Sequence, residues 1–404
     1  MVQRIVVVGA GIAGMQTALV LRERGFDGRL TLLGAEAHPP YDRPPLSKDV
    51  LLGKAEHSRF EVDYADLGVE LLLGRRALGV DTTRRIVRTD GPADGPDGAE
   101  LGYDRLVLAT GARPLALPGQ PADAHLLRTH DDAMALKAAL QPGARVVIVG
   151  AGWIGAEAAT VARQLGCAVT VVEAAGAPLP GAVPAEVGER MRGWYAEAGA
   201  ELRTGTAVSG FAAGAVRLAD GTELAADVVV VGIGARPDTG WLEGSGIALD
   251  ARGAVAADDR LRTSAEDVFA VGDCASFPSG RYGARLTVHH WDNALQGPRV
   301  AAANALGADE VYDPVPYFWS EQFGRMVQYA GQHSPGDRLL WRVDPADESG
   351  WSVLWLRGDV PVAVLAVARP RDLAQGRRLV ERGTPVDPAL AADPSVQLKT
   401  VART

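Results

Sequence analysis

The chain has 404 residues, 47% of them apolar and 23% charged, and a formal net charge of −9. Such a length calls for about two or three domains, and the acidic balance argues against general nucleic-acid binding, which needs clustered Lys and Arg. No apolar run approaches the roughly 18 residues of a membrane span, no charged leader frames a signal peptide, and Cys167 and Cys274 form no C-x-x-C motif; the expectation is a soluble, cytoplasmic enzyme without a disulfide framework.

The first element is "IVVVGAGIAGMQTA" (5–18), a β-branched run leading into G-x-G-x-x-G and then an Ala-rich stretch. That order predicts a strand, a phosphate loop and a helix. Gly9 and Gly11 let the backbone turn tightly and approach a pyrophosphate, Gly14 lets helix and strand pack closely, and the helix N-terminus offers unpaired amides. The next strand, "LTLLGAE", ends at Gly34, leaving Glu36 as the nearest acid for a ribose contact. "GPADGPDG" (91–98) reads as a hairpin tip. "LVLATGARP" (106–114) reads as a buried strand closing with Gly-x-Arg-Pro.

At residues 146–159 the chain repeats itself as "VVIVGAGWIGAEAA". One such turn is equally well a plain structural turn; two in matching context imply two dinucleotide sites. The strand "VTVVEA" ends in Glu173, where a carboxylate can hold both ribose hydroxyls and repel a 2′-phosphate. With no Arg or Lys between 174 and 183, the second site is expected to take NADH rather than NADPH. One nicotinamide needs one site, so the other is expected to hold FAD, the natural acceptor of its hydride. "VVVVGIGARP" (228–237) repeats the Gly-x-Arg-Pro ending, so the two copies read as chain crossings around an NAD unit inserted within an FAD unit. "DVFAVGDCA" (267–275) predicts a strand ending in Asp273, which either binds a flavin ribityl hydroxyl or caps a helix. "RLLWRV" and "WSVLWL" read as strands flanking a tip, "DPADESG" (344–350), with Trp341, Trp351 and Trp355 in the core.

These stretches, together with "PPYDRPPLSK" (39–48), "HHWDNALQG" (289–297), "PYFWSEQFG" (316–324) and "RPRDLAQGRRL" (369–379), resemble the FAD-dependent pyridine nucleotide reductases, specifically ferredoxin reductases of the putidaredoxin reductase type. The resemblance implies an α/β fold with two Rossmann-like dinucleotide-binding domains, the NAD domain inserted in the FAD domain, plus a C-terminal α+β domain. The expected divisions are 1–112 and 236–314 for the FAD domain, 113–235 for the NAD domain and 315–404 for the last. Carried across, FAD would meet Gly9, Gly11, Ile12, Ala13, Gly14, Glu36, Arg43, Lys48, Ala109, Thr110, Gly111, Arg128 and Asp273, with Trp291 and Trp319 bordering the flavin. NADH would meet Gly150, Gly152, Trp153, Ile154, Gly155, Glu157, Glu173, Gly232, Ile233 and Gly234. Two departures stand out: His289 replaces an acidic residue common in the family, and Tyr195 replaces a histidine often found there.

The family pattern also pairs Glu157, expected on the first turn of the second loop helix, with Lys48. An ion pair there is physically sensible, since an unpaired charge between two cofactors is strongly disfavoured; the alternative is an exposed carboxylate on a helix dipole and a solvated lysine. No general acid or nucleophile is required, because hydride passes directly between stacked rings and the protein's work is alignment. Disulfide reductases of this architecture use a cysteine pair, and relatives acting on peroxide or CoA disulfides use one cysteine near the FAD loop, whereas residues 37–60 contain none. The electrons are therefore expected to leave singly through an outside carrier, a ferredoxin of the 2Fe–2S type. Arg369, Arg371, Arg377, Arg378 and Arg382 outweigh Asp372 and Glu381 locally and form either a docking patch for that acidic carrier or a solvated helix face. His38, His57, His125, His130, His289 and His290 lack ligand-like spacing, so no metal is expected. The sequence thus predicts an NADH-dependent FAD flavoprotein reducing a ferredoxin for a cytochrome P450 or Rieske-type oxygenase. The alternatives are an NADH oxidase or quinone reductase, and an NADH-sensing flavoprotein of the apoptosis-inducing type.

Overall fold

A computed structural model describes residues 2–91 and 99–403, so most of the "GPADGPDG" tip lies outside the described residues. The β-branched run Arg4–Val8 is the middle strand of a five-stranded parallel sheet, in the order Val268–Ala270, Arg105–Leu108, Arg4–Val8, Arg29–Leu33, Val69–Leu72. Its central strands are buried on both faces, as an unbroken apolar run in a parallel sheet demands. Helix Ile12–Glu23 covers one face and packs along helix Trp291–Ala305, whose alanines Ala301, Ala302 and Ala305 permit the close approach.

A second parallel sheet runs Glu201–Thr204, Ala168–Glu173, Arg145–Val149, Val228–Val231, with helix Trp153–Gln164 after its own glycine loop. Each parallel sheet is accompanied by a three-stranded antiparallel sheet, Ala77–Asp81, Ile86–Thr89 and Glu100–Gly102 in one case, Val208–Ala212, Ala215–Leu218 and Glu223–Ala225 in the other. The chain passes from the first unit to the second and back through Ala112–Pro114 and Ala235–Pro237, which pair antiparallel with one another, Ala235 opposite Pro114 and Pro237 opposite Ala112. The repeated Gly-x-Arg-Pro signature therefore marks one two-stranded crossing.

The C-terminal part is a five-stranded antiparallel sheet in the order Tyr317–Gln322, Arg325–Gly331, Val360–Val367, Asp347–Arg357, Arg338–Asp344. The expected tip at 344–350 is shorter than its composition suggested, because Asp347 to Gly350 already belong to a strand and only two residues make the turn. Trp351 and Trp355 are buried, and Trp341 packs against the same core. Helix Pro370–Arg382 lies on this sheet, with Gly376 so close to Val364 that an added Cβ would come within 3.0 Å of it. One apolar cluster links all three parts, joining Ile5, Leu32 and Phe269 to Val187, Met191 and Trp194 and to Tyr329, Trp351 and Trp355.

Arg342, 2% exposed, ties the C-terminal tail to this sheet. Its guanidinium donates to Ala391 O at 2.5 Å, to Asp393 O and Val396 O at 2.8 Å, and to Asp372 Oδ2 at 3.1 Å. Replacing it by Met keeps the stem but leaves those acceptors unpaired, at a cost of about 3 kcal/mol. Thermal unfolding of the protein should show a lowered midpoint for Arg342→Met, and an unmoved one would mean that apolar contacts alone hold the tail.

Candidate nucleotide and charge-pair site

Both glycine loops adopt nearly the same backbone. Gly11 has φ −78° and ψ −172°, Gly152 has φ −75° and ψ −173°, and neither helix N-terminus receives a side-chain cap. Gly9 and Gly150 have φ of +112° and +103°, a region that favours glycine, and an added Cβ would sit 2.2 Å from Ala109 O and 2.4 Å from Gly232 O respectively. At Gly14 and Gly155 a Cβ would lie 1.8 Å and 2.0 Å from the carbonyl of the loop's first glycine. Gly11, by contrast, faces open space. The uncapped amides of Ile12, Ala13 and Gly14, and those of Trp153, Ile154 and Gly155, thus border a surface that a diphosphate can approach.

Along the C-terminal ends of the first sheet stand, in spatial order, Asp273, the Ala109–Thr110–Gly111 turn, the first glycine loop and Glu36. Asp273 lies not at the end of a strand but in a tight turn, Gly272–Cys274, because the strand stops at Ala270 and Gly272 takes φ +70°. Arg128 reaches Asp273 Oδ2 at 2.9 Å while its Nε, buried, has no partner among the described residues. The Arg128 carbonyl accepts from Arg43, whose other terminal nitrogen meets Glu36 Oε1 at 2.8 Å. Glu36 Oε2 accepts the Tyr41 hydroxyl at 2.6 Å. Thr110 donates to Asp238 O at 2.7 Å, close to the crossing strands. An orphaned guanidinium nitrogen, an open glycine cradle and acids at both ends form a donor and acceptor set that fits a dinucleotide laid across the strand ends, which is how FAD would lie.

In the second unit Glu173 is 8% exposed, and its oxygens accept the amides of Ala151 at 2.9 Å and Ala175 at 2.8 Å. Gly232, Ile233 and Gly234 follow strand Val228–Val231, which lies on the other side of Arg145–Val149 from the strand of Glu173, and Ile154 is exposed at the helix start. The cation-poor stretch 174–183 is not without a cation in space. Arg192 folds back to donate to Gly176 O at 2.6 Å and Thr204 Oγ1 at 3.0 Å, and it pairs with Glu189 at 2.6 Å. Sequence reading missed it because no local pattern links a helix residue to a loop behind it.

Glu157 is in the second turn of helix Trp153–Gln164, not the first, and is buried at 4% exposure rather than solvated. Its Oε2 receives Lys48 Nζ at 2.7 Å and Ser47 Oγ at 2.5 Å; its Oε1 receives Ser320 Oγ at 2.7 Å. Lys48 comes from the turn after Pro44 and Pro45, and Leu51, in the next helical turn, is wholly buried against the second unit's core. The structure thus brings Lys48 and Glu157 together between the two units. The two serines carried no signal in the sequence beyond lying in "PPLSK" and "FWSEQFG".

Above the first site, Trp291 donates to Asp42 Oδ1 at 2.7 Å and meets Trp319 edge to face at 5.4 Å. Burial raises the Asp42 carboxyl above its ordinary range, against the hydrogen bond from Trp291 and the nearby Lys48. Phe318 sits between Trp153, at 4.7 Å, and His290, at 4.5 Å. Burial lowers the His290 imidazole to about 4, and its Nδ1 has no partner among the described residues. His289, its neighbour, is exposed. Tyr195 is buried against Phe323, and Cys167 and Cys274 are both buried and free. No group of three metal-binding side chains and no helix long and apolar enough to cross a membrane occurs among the described residues.

Residues 3–297 match the family model described as pyridine nucleotide-disulphide oxidoreductase, and residues 317–402 the model described as reductase C-terminal. The chain is 39% identical over 415 residues to the ferredoxin reductase component of chlorobenzene dioxygenase from Cupriavidus sp. (strain PS12), covering 100% of this chain and 98% of that protein. Among solved structures it resembles Fdr9, with a TM-score of 0.91 and 45% identity over 98% of this chain and 99% of the other. It also resembles a chain of the covalent putidaredoxin reductase–putidaredoxin complex, with a TM-score of 0.92 and 34% identity over 98% and 97%.

Two experiments test this geometry. Gly14→Ala should yield protein without flavin absorbance, whereas Gly155→Ala should retain FAD but lose its reduction by NADH; retention of both functions by either variant would contradict the packing of that loop. For His290 the sign follows from linkage: a folded value of about 4 below the ordinary 6.5 means the unfolded chain binds the extra proton, so stability falls as pH drops from 6.5 toward 4. Denaturation midpoints of His290→Gln should therefore fall less steeply than the parent's across that window, and parallel curves would show that the imidazole is not held neutral.

Proposed function

The chain belongs to the pyridine nucleotide-disulphide oxidoreductases, in the branch of FAD-dependent ferredoxin reductases, and from that premise we infer that it carries electrons from NADH to a 2Fe–2S ferredoxin serving a cytochrome P450 or Rieske-type oxygenase. Relatives of both kinds bear on that assignment, among them a ferredoxin–NAD(+) reductase component of an anthranilate 1,2-dioxygenase system and a putidaredoxin reductase. The observation that carries the reading is the largely buried Lys48–Glu157 pair, which joins the turn after Pro45 to the helix of the second glycine loop, in a chain with no cysteine in the 37–60 segment. The site offers a buried charge pair for alignment and no thiol to take the electrons onward.

FAD, when bound, supplies an acceptor that takes two electrons together and releases them one at a time. The protein's part is positional. The first glycine loop and Asp273 would hold FAD in 1–112 and 236–314, with Arg128 reaching in from the inserted unit; the second loop and Glu173 would hold NADH in 113–235. Lys48 keeps a positive charge at the junction and Glu157 neutralises it, so neither is left as an uncompensated charge where water is excluded. Trp153, Phe318 and His290 form an aromatic pile beside that junction, and Trp291 and Trp319 would border the flavin on the side of the C-terminal part, 315–404. NADH as donor and two free buried thiols favour a cytoplasmic setting.

The ferredoxin would dock on helix Pro370–Arg382. Of the five arginines, Arg369 is occupied by Gly350 O at 3.0 Å, and Arg377 by Glu381 at 2.9 Å and the Tyr317 ring. Arg371, Arg378 and Arg382 are exposed, form no ion pair among the described residues, and follow one helix face. Asp372 does not offset them at the surface, since it is turned toward Arg342 and Ser352. The double change Arg378→Glu and Arg382→Glu should raise the ferredoxin concentration for half-maximal reduction about tenfold at low salt, converging on the parent as salt rises. Ferricyanide reduction should stay the same. An equal loss with both acceptors would remove this helix from docking.

A further inference from the structure

The two oxygens of Glu157 are used by different parts of the chain. Oε2 faces the turn that carries Ser47 and Lys48, while Oε1 is taken by Ser320, on the strand Tyr317–Gln322 of the C-terminal sheet. Ser320 is 1% exposed and itself accepts Gln322 Nε2 at 3.2 Å. Since Gln322 Nε2 can only donate, the hydroxyl proton goes to the Glu157 oxygen. The hairpin that bears Ser320 is pinned to the same helix a second time: the Phe323 amide at its turn donates to Thr160 Oγ1 at 2.9 Å. Phe323 holds φ +49°, an uncommon conformation for a bulky residue, and its ring packs on Tyr195 at 4.7 Å. Just beyond the turn, Arg325 meets Glu197 at 2.5 Å and lies over Trp194.

A carboxylate whose donors, here Ser47 and Lys48, all lie on one oxygen can still turn about its last torsion and change which oxygen meets the lysine. A donor on the other oxygen, held by a strand, removes that freedom. We propose that Ser320 is a positioning residue for hydride transfer: by holding Oε1 of Glu157 it directs Oε2 to Lys48, so that the C-terminal hairpin sets the geometry of the charge pair between the two nucleotide sites. Ser320 acts through Glu157 and not on either nucleotide. The inference rests on the reading of Lys48 and Glu157 as flanking the hydride path.

The test is stopped-flow reduction of the FAD-loaded protein by NADH, with Ser320→Ala, Glu157→Gln and the double variant, alongside the absorption spectrum of each oxidised protein. Ser320→Ala should lower the limiting rate about tenfold while shifting half-saturating NADH by less than about threefold. Its flavin absorption envelope should move toward that of Glu157→Gln. In the Glu157→Gln background the serine change should slow reduction by no more than about twofold further, since its route is already lost. A parental rate for Ser320→Ala beside a slow Glu157→Gln overturns the proposal and leaves the charge-pair reading in place, as do effects that simply multiply in the double variant. A parental rate for Glu157→Gln overturns both. Should Ser320→Ala fail to retain FAD, Ser320→Thr, which keeps the hydroxyl, decides: a rate within about threefold of the parent supports the role, and a rate as low as that of Glu157→Gln overturns it.

Discussion

A carboxylate taken out of water must have its charge and its lone pairs satisfied, or the fold loses several kcal/mol. Glu157 meets that condition only because two remote stretches of chain converge on its helix: the turn at Ser47 and Lys48, and the hairpin strand at Ser320. The arrangement of the three parts follows from this. The turn after Pro44 and Pro45 must reach across to the second unit, which it does by burying Leu51 in that unit's core. The hairpin must come down on the same helix, and its docking through Phe323 and Arg325 is accompanied by Arg190 lying over Trp341 and Trp351. Polar satisfaction at one residue and apolar burial around it thus select the same packing, the kind of agreement between levels that makes a fold specific.

The two glycine loops share a backbone but not their surroundings. In the second unit the acid at the strand end is anchored by two amides and faces the loop directly. In the first, Gly34 stands at that place because Ala10 is so near that an added Cβ would lie 2.6 Å from its side chain. The acid is displaced to Glu36, and Tyr41 and Arg43 gather around it instead. One motif is therefore set in two polar surroundings: a single carboxylate anchored by amides in the second unit, and a wider network running from Glu36 through Arg43 and Arg128 to Asp273 in the first.

Local signals in the sequence account for much of this. Runs of β-branched residues followed by glycine loops announce both parallel sheets, Glu173 is at the strand end where its spacing placed it, and the Gly-x-Arg-Pro repeats correspond to the paired crossing strands. The signals weaken where tertiary contact decides. Counting from the third glycine puts Glu157 one turn too early, because that glycine already lies inside the first turn of the helix. Asp273 reads as a strand end because nothing in "AVGDCA" reveals that the chain turns at Gly272. Ser320, Thr160 and Arg192 act on residues far away in sequence, and a hydroxyl or guanidinium carries no mark of its distant partner.

The crossing strands have one more consequence. The inserted unit leaves its host at Ala112–Pro114 and returns at Ala235–Pro237, and these two segments are bound edge to edge. Entry and exit points that touch impose no span on the host, so the host fold is indifferent to what lies between them. A unit attached in this way is portable: evolution, or an engineer, can exchange it at this seam without disturbing the host. What any transplant must still reproduce is the small patch of its helix that greets the hairpin.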